Sequence, residues 1–173
     1  MNFILIQFIG ALGYILLTLS YFKKEKKQIL FMQILSYIMF SIHYYFLNGL
    51  AGALCNFVGL FALIAIYLFD KYKIKNKKIM AIIFVIILFV VNIKSFETIY
   101  SVFPLIASII VIISFITDNE RAIREIGIMS AVCWLIYAIV YKSYIGIVLE
   151  IITLFGVMAA TIKNSKNNDL KEN

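Results

Sequence analysis

Residues 7–69 of this chain lie on residues 101–163 at a constant offset of 94 residues, with no gap. Ser20 falls on Ser114, Ser36 on Ser130, Gly52 on Gly146 and Leu60-Phe61 on Leu154-Phe155. The basic stretch that ends at Lys27 falls on Arg121. Aligned isoleucines carry little weight in so Ile-rich a chain, so the repeat rests on these polar, glycine and loop positions. A chain built this way is expected to fold as two copies of one unit. Asn56 falls on Glu150, an acidic residue inside an otherwise apolar stretch. In a membrane protein, polar groups at one depth in both copies point to a path between the halves.

The solvent of that unit is lipid. Hydrophobic residues make up 64% of the 173 and mean hydropathy is +0.99, more apolar surface than a soluble domain carries. The apolar stretches read as seven helices, roughly Phe3–Phe22, Ile29–Leu47, Ala51–Phe69, Ile79–Ile93, Thr98–Thr117, Ile126–Tyr141 and Tyr144–Ile162. The fourth is short for a spanning helix, but charge placement requires it. With seven spans, Lys23–Lys27, Asp70–Lys78, Asp118–Glu125 and the tail share one side and hold 14 of the 16 basic residues. The other side has only Lys94 and Lys142. The positive-inside rule then puts the C-terminus in the cytoplasm and the N-terminus outside. Met1–Phe22 lacks a basic leader and a small-residue cleavage site, so it is expected to be the first span.

The expected architecture is all-α and integral to the membrane. A three-helix repeat (residues 1–69) is followed by a lysine loop and linker helix (70–97), a second three-helix repeat (98–163) and a cytoplasmic tail (164–173). An odd linker gives both triple-helix halves one orientation, a parallel 3+1+3 arrangement. The net charge of +7 is accounted for by cytoplasmic loops and anionic lipid. A nucleic-acid partner would need a folded basic domain, and the sequence has none. Cys55 and Cys133 do not correspond in the repeat and read as buried thiols. A lone histidine with no Cys–His cluster argues against a metal site.

Each repeat helix carries small, polar or aromatic residues at helical spacing, in register with its partner. These are Gln7, Gly10, Tyr14 and Thr18 against Ser101, Pro104 and Ser108. On the next pair they are Gln33, Ser36, Phe40 and His43 against Gly127, Ser130, Trp134 and Tyr137. On the last pair, Gly52, Asn56 and Gly59 lie against Gly146, Glu150 and Thr153. The glycines and serines alone are explained by close helix packing. A carboxylate in hydrocarbon is costly, so Glu150 should face a cavity or a partner, as a solute-binding or proton-exchange group. Asn56 can donate and accept at once. Phe40 and Trp134 at mid-membrane could sandwich a ring-shaped solute. His43 could share a proton with Glu150. Tyr14 and Tyr137 complete the candidate substrate-binding set. Pro104 and its counterpart Gly10 are the candidate hinges. No nucleophile–base pair, phosphate loop or metal motif appears, so neither an enzyme nor a cofactor is expected.

Several runs carry a family resemblance. In the first half they are Gln7-Phe8-Ile9-Gly10 through Tyr21-Phe22-Lys23-Lys24, Gln33-Ile34-Leu35-Ser36-Tyr37, Ile42-His43-Tyr44-Tyr45-Phe46-Leu47-Asn48-Gly49 and Ala53-Leu54-Cys55-Asn56. The second half has Cys133-Trp134-Leu135-Ile136 and Gly146 to Glu150. Over nearly its whole length the chain resembles the YgjV family of bacterial inner-membrane proteins. The 3+1+3 pattern is also similar to the SWEET sugar transporters and the PnuC vitamin-precursor transporters of the wider PQ-loop grouping. In SWEETs, asparagines on the third helix of each half and a preceding tryptophan line the central site. Asn56, Glu150 and Trp134 hold comparable places here. The chain departs from that pattern in having one proline, no Pro-Gln dipeptide, and Glu150 where SWEETs have a neutral residue.

Two readings of function follow. The first is a carrier for a small polar solute such as a sugar, nucleoside or vitamin precursor, with possible proton coupling, acting as a monomer or homodimer in the bacterial inner membrane. The second is a non-transporting receptor, sensor or assembly partner on the same fold. A cavity around Asn56 and Glu150 favours the first, and a solid polar-paired core the second.

Overall fold

The computed structural model describes residues 1–116, 120–152 and 154–155, and every described element is helical. The helices are α1 (Phe3–Tyr21), α2 (Lys26–Phe46), α3 (Leu50–Lys71), α4 (Lys77–Lys94), α5 (Val102–Ile116) and α6 (Glu120–Val140). A 3-10 turn at Ile99–Ser101 leads into α5, and a further helix, α7, covers 144–152. Thr153, the side chain of Arg121, the expected tail and the end of the expected seventh span lie outside the described residues.

Among the described residues, four segments are long and apolar enough to cross a bilayer: α1, α2, α3 and Ile99–Ile116. The apolar part of α6, Glu125–Val140, is shorter. The ambiguous fourth stretch forms an 18-residue helix, about 27 Å long at 1.5 Å per residue, close to the thickness of a hydrocarbon core. Helix ends overrun the apolar stretches. The expected loop Asp118–Glu125 is helical from Glu120 onward. α2 starts at Lys26 rather than Ile29. Hydropathy marks where lipid ends, whereas Glu, Arg, Ala and Lys are good helix formers and carry the helix past that point.

The two halves share a turn. Between α2 and α3, backbone bonds run from Leu47 N to His43 O, Asn48 N to Tyr45 O, Gly49 N to Tyr44 O and Ala53 N to Gly49 O. Between α6 and α7 the same four bonds recur 94 residues on, from Tyr141 to Tyr137, Lys142 to Ile139, Ser143 to Ala138 and Ile147 to Ser143. Asn48 and Lys142 both take the left-handed conformation, with φ of 61° and 54°. The Ser20 hydroxyl donates to Leu17 O, as Ser114 does to Val111 O.

Consecutive helices pack as α1 on α2, α2 on α3 and α5 on α6, while α3 also meets α4 and α5. The surface is apolar, with Ile4, Phe8, Ile86 and Phe89 all exposed. Polar groups are turned inward: Gln33, Ser36, His43, Asn56, Asn92, Ser108, Ser130 and Glu150 are buried. A protein with apolar surface and polar interior is solvated by lipid. Asn92 on α4, which sequence reasoning missed, donates to Ser101 O at 2.8 Å and ties α4 to the start of α5. At the lysine-rich end, Asp70 on α3 pairs with Lys26 of α2 at 3.0 Å and with Lys77 of α4.

Candidate functional site

Glu150 is buried, 2% exposed, and lines a cavity that Asn56 also lines. The gapless repeat therefore brings its two mismatched polar residues to one place. The walls come from α1 (Tyr14, Leu17, Tyr21), α2 (Gln33, Tyr37, Phe40, Tyr44), α3 (Asn56), α5 (Val111, Ser114, Phe115), α6 (Gly127, Ser130, Ala131, Trp134) and α7 (Glu150). The space open to the centre of a water-sized sphere is about 30 Å³. One water needs roughly 10–15 Å³ on this measure. The cavity thus holds about two waters, and a solute the size of a sugar enters only if the helices part.

The Tyr14 hydroxyl hydrogen-bonds the Glu150 carboxyl. Tyr21, Tyr37 and Tyr44 also lie close enough to feel its charge. Oε2 of Glu150 is buried and has no hydrogen-bond partner among the described residues. The Tyr44 hydroxyl is likewise buried without a hydrogen-bond partner among the described residues, while three other polar groups of the wall are engaged. Asn56 Nδ2 donates to Gly52 O at 2.9 Å, Gln33 Nε2 to Ser20 Oγ at 3.3 Å, and Ser114 Oγ to Val111 O at 2.7 Å. None of the described lining residues is a lysine, arginine or histidine. The Glu150 carboxyl and the Tyr44 hydroxyl are therefore left with open capacity at this cavity, and the carboxyl is the acidic one.

Of the seven expected substrate-binding residues, Asn56, Glu150, Trp134, Phe40 and Tyr14 meet at the cavity. The aromatic pairing differs from the expected sandwich. Trp134 stacks on Tyr44, centroids 5.4 Å apart, and Phe40 meets Tyr14 edge-on at 4.6 Å. Tyr21, Tyr37 and Tyr44 were missed. A signal for them existed: Tyr14 and Tyr21, like Tyr37 and Tyr44, are seven residues apart and so share a helix face.

His43 and Tyr137 sit about one helical turn from Phe40 and Trp134, away from the lysine-rich end, and tie the two halves together. His43 Nδ1 is 2.8 Å from Ile6 O and Nε2 is 2.7 Å from Ser143 Oγ. A carbonyl only accepts, so Nδ1 carries the hydrogen and Nε2 accepts from the Ser143 hydroxyl. Tyr137 is the repeat partner of His43 and crosses the other way, its hydroxyl accepting from Gly52 N at 2.9 Å. Gly52 is the third residue of α3, where a backbone N–H has no helical acceptor. Each residue of the pair thus reaches the start of the other half's third helix. Gln7 adds two bonds, donating to Lys142 O and accepting from Ile145 N, each at 3.2 Å.

Close approach explains the glycines here. A methyl on Gly52 would collide with the Tyr137 ring, and one on Gly10 would lie 2.6 Å from His43 Cε1. Pro104 stands in the first turn of α5, where its missing N–H costs no helical bond. Cys55 is buried and Cys133 half-buried, and both are free thiols.

A model of one protein family matches residues 4–168. The chain belongs to the Imp-YgjV family of bacterial inner membrane proteins. No curated protein and no solved structure matches it. The lipid-facing surface and buried polar interior are the physical counterpart of that membership, and they account for the polar stripes as the inner faces of a bundle set in a bilayer.

Proposed function

We propose that this Imp-YgjV protein is a carrier, not an enzyme, that moves a small polar solute by alternating access between two triple-helix bundles. The observation that carries the reading is the buried carboxyl oxygen of Glu150, left without a partner at a cavity lined from both halves. A static bundle gains nothing by holding such a group, since an unsatisfied buried carboxyl costs stability unless function needs it.

In this reading α1–α3 and α5–α7 form the two bundles and α4 links them, an arrangement similar to the SWEET and PnuC transporters. The lysine-rich end is cytoplasmic, so the cavity is closed from the outside by the His43, Tyr137 and Gln7 bonds. Rocking of the bundles breaks those bonds. Gly10 and Pro104 lie at that outer end, where α1 and α5 must part. Asn56, Glu150, Trp134, Phe40 and Tyr14 then meet the solute, and Glu150 can exchange a proton in the same cycle.

The test is two-sided access. Ser130 lines the cavity and is buried. Ser130→Cys in a Cys55→Ala, Cys133→Ala background is treated with a membrane-impermeant methanethiosulfonate, in right-side-out and in inverted vesicles. A carrier is labelled from both sides, and Ser143→Ala increases labelling from the outside. Labelling from neither side, or no response to Ser143→Ala, would mean a solid core and favour the receptor or assembly reading.

A further inference from the structure

We infer that the solute is a small organic cation bearing at least one N–H, a protonated primary or secondary amine. The inference rests on the carrier reading for entry and exit, and on the following features for its chemistry.

The polar accounting comes first. The amides of Asn56 and Gln33 and the hydroxyl of Ser114 donate to protein acceptors. Two buried oxygens of the wall are left over, Glu150 Oε2 and the Tyr44 hydroxyl. Both can accept from an N–H, and of the two only the carboxyl can carry charge near neutral pH. Charge comes second. Among the described residues no cationic side chain lines the space, so an ionised carboxylate there finds its balance in a cation that enters. An anionic solute would face that carboxylate with nothing to offset it. The wall comes third. Four tyrosines, two phenylalanines and a tryptophan line the cavity, seven of its sixteen residues. Aromatic faces attract ammonium groups, most strongly where water is excluded. Trp134 and Tyr44 present stacked rings on one side, while Tyr14 and Phe40 meet edge-on on the other.

A neutral polyol could bond these oxygens but would leave an ionised carboxylate unbalanced. A quaternary ammonium would satisfy the aromatic faces but leave Oε2 without its hydrogen bond. An N–H cation satisfies both. The narrow space, about 30 Å³, favours a compact head group.

The full-length protein in detergent is melted with ammonium, methylammonium and ethanolammonium chlorides. Tetramethylammonium chloride and sodium chloride at equal ionic strength, glucose and adenosine serve as comparisons. The N–H cations raise the melting temperature in a saturable way, and the comparison compounds do not. Glu150→Gln weakens the methylammonium effect by about tenfold or more, the loss expected for a charge-assisted contact. Trp134→Leu weakens it by about threefold or more. Should Glu150→Gln fail to fold, the wild-type ranking and Trp134→Leu decide. Equal protection by tetramethylammonium or sodium overturns the N–H requirement. Protection by glucose or adenosine alone, or by lowered pH with no amine effect, overturns the cation class. So does no protection by any compound. Each of those outcomes leaves the two-sided labelling of Ser130→Cys to judge the carrier reading separately.

Discussion

The tie at His43 makes a sharp prediction at Gly10. A methyl there would lie 2.6, 2.7 and 3.0 Å from three atoms of the His43 ring. The ring cannot give way cheaply, because Ile6 O and Ser143 Oγ hold it at 2.8 and 2.7 Å. Overpacking of a filled site costs about 1–3 kcal/mol, and displacing the ring loses at least one hydrogen bond worth about 1 kcal/mol. Gly10→Ala should therefore destabilise the protein by about 2–4 kcal/mol. With His43→Ala in place the obstacle is gone, and alanine is the better helix former by up to about 1 kcal/mol. The same substitution should then be neutral or mildly stabilising. The measurement is a double-mutant cycle by reversible SDS unfolding in mixed micelles. Equal costs for Gly10→Ala in the two backgrounds would refute the argument, since the penalty would then come from the helix itself and not from the imidazole.

Other expectations follow from the same contacts. Tyr137→Phe removes the acceptor for Gly52 N–H but keeps the ring, so it should cost about 1 kcal/mol in the same unfolding assay. It should also raise outside labelling of the Ser130→Cys protein. Gly52→Ala should be the more damaging change, because its methyl meets the Tyr137 ring itself, and Tyr137→Ala should relieve it. Asp70→Asn should cost about 1 kcal/mol or less, since its carboxylate is partly exposed, and the difference from wild type should shrink in high salt. Asn92→Leu leaves Ser101 O without its donor; thermal melting should show a loss of about 1–2 kcal/mol.

The sequence by itself determined the solvent, the helices and the pairing of positions. Hydropathy needs only local composition, so lipid embedding and a helix at the ambiguous fourth stretch were readable before any contact was known. The offset of 94 was also readable, and the twin turns at Asn48 and Lys142 follow it bond for bond. Asn56 and Glu150 were legible as inward-facing groups because a polar group in an apolar stretch is costly in contact with lipid.

The tertiary structure alone decided which polar groups are spent and which remain open. His43 looked like a proton partner for Glu150. Its depth on α2 instead sets it against Ile6 and Ser143, where both ring nitrogens are engaged. Tyr21 of α1 and Tyr37 and Tyr44 of α2 come within electrostatic reach of one carboxyl only through tertiary packing. Helical periodicity fixes the face a residue occupies, but not the neighbour that face meets. That depends on how helices from two halves rotate and slide against one another, which is settled by packing across the whole bundle.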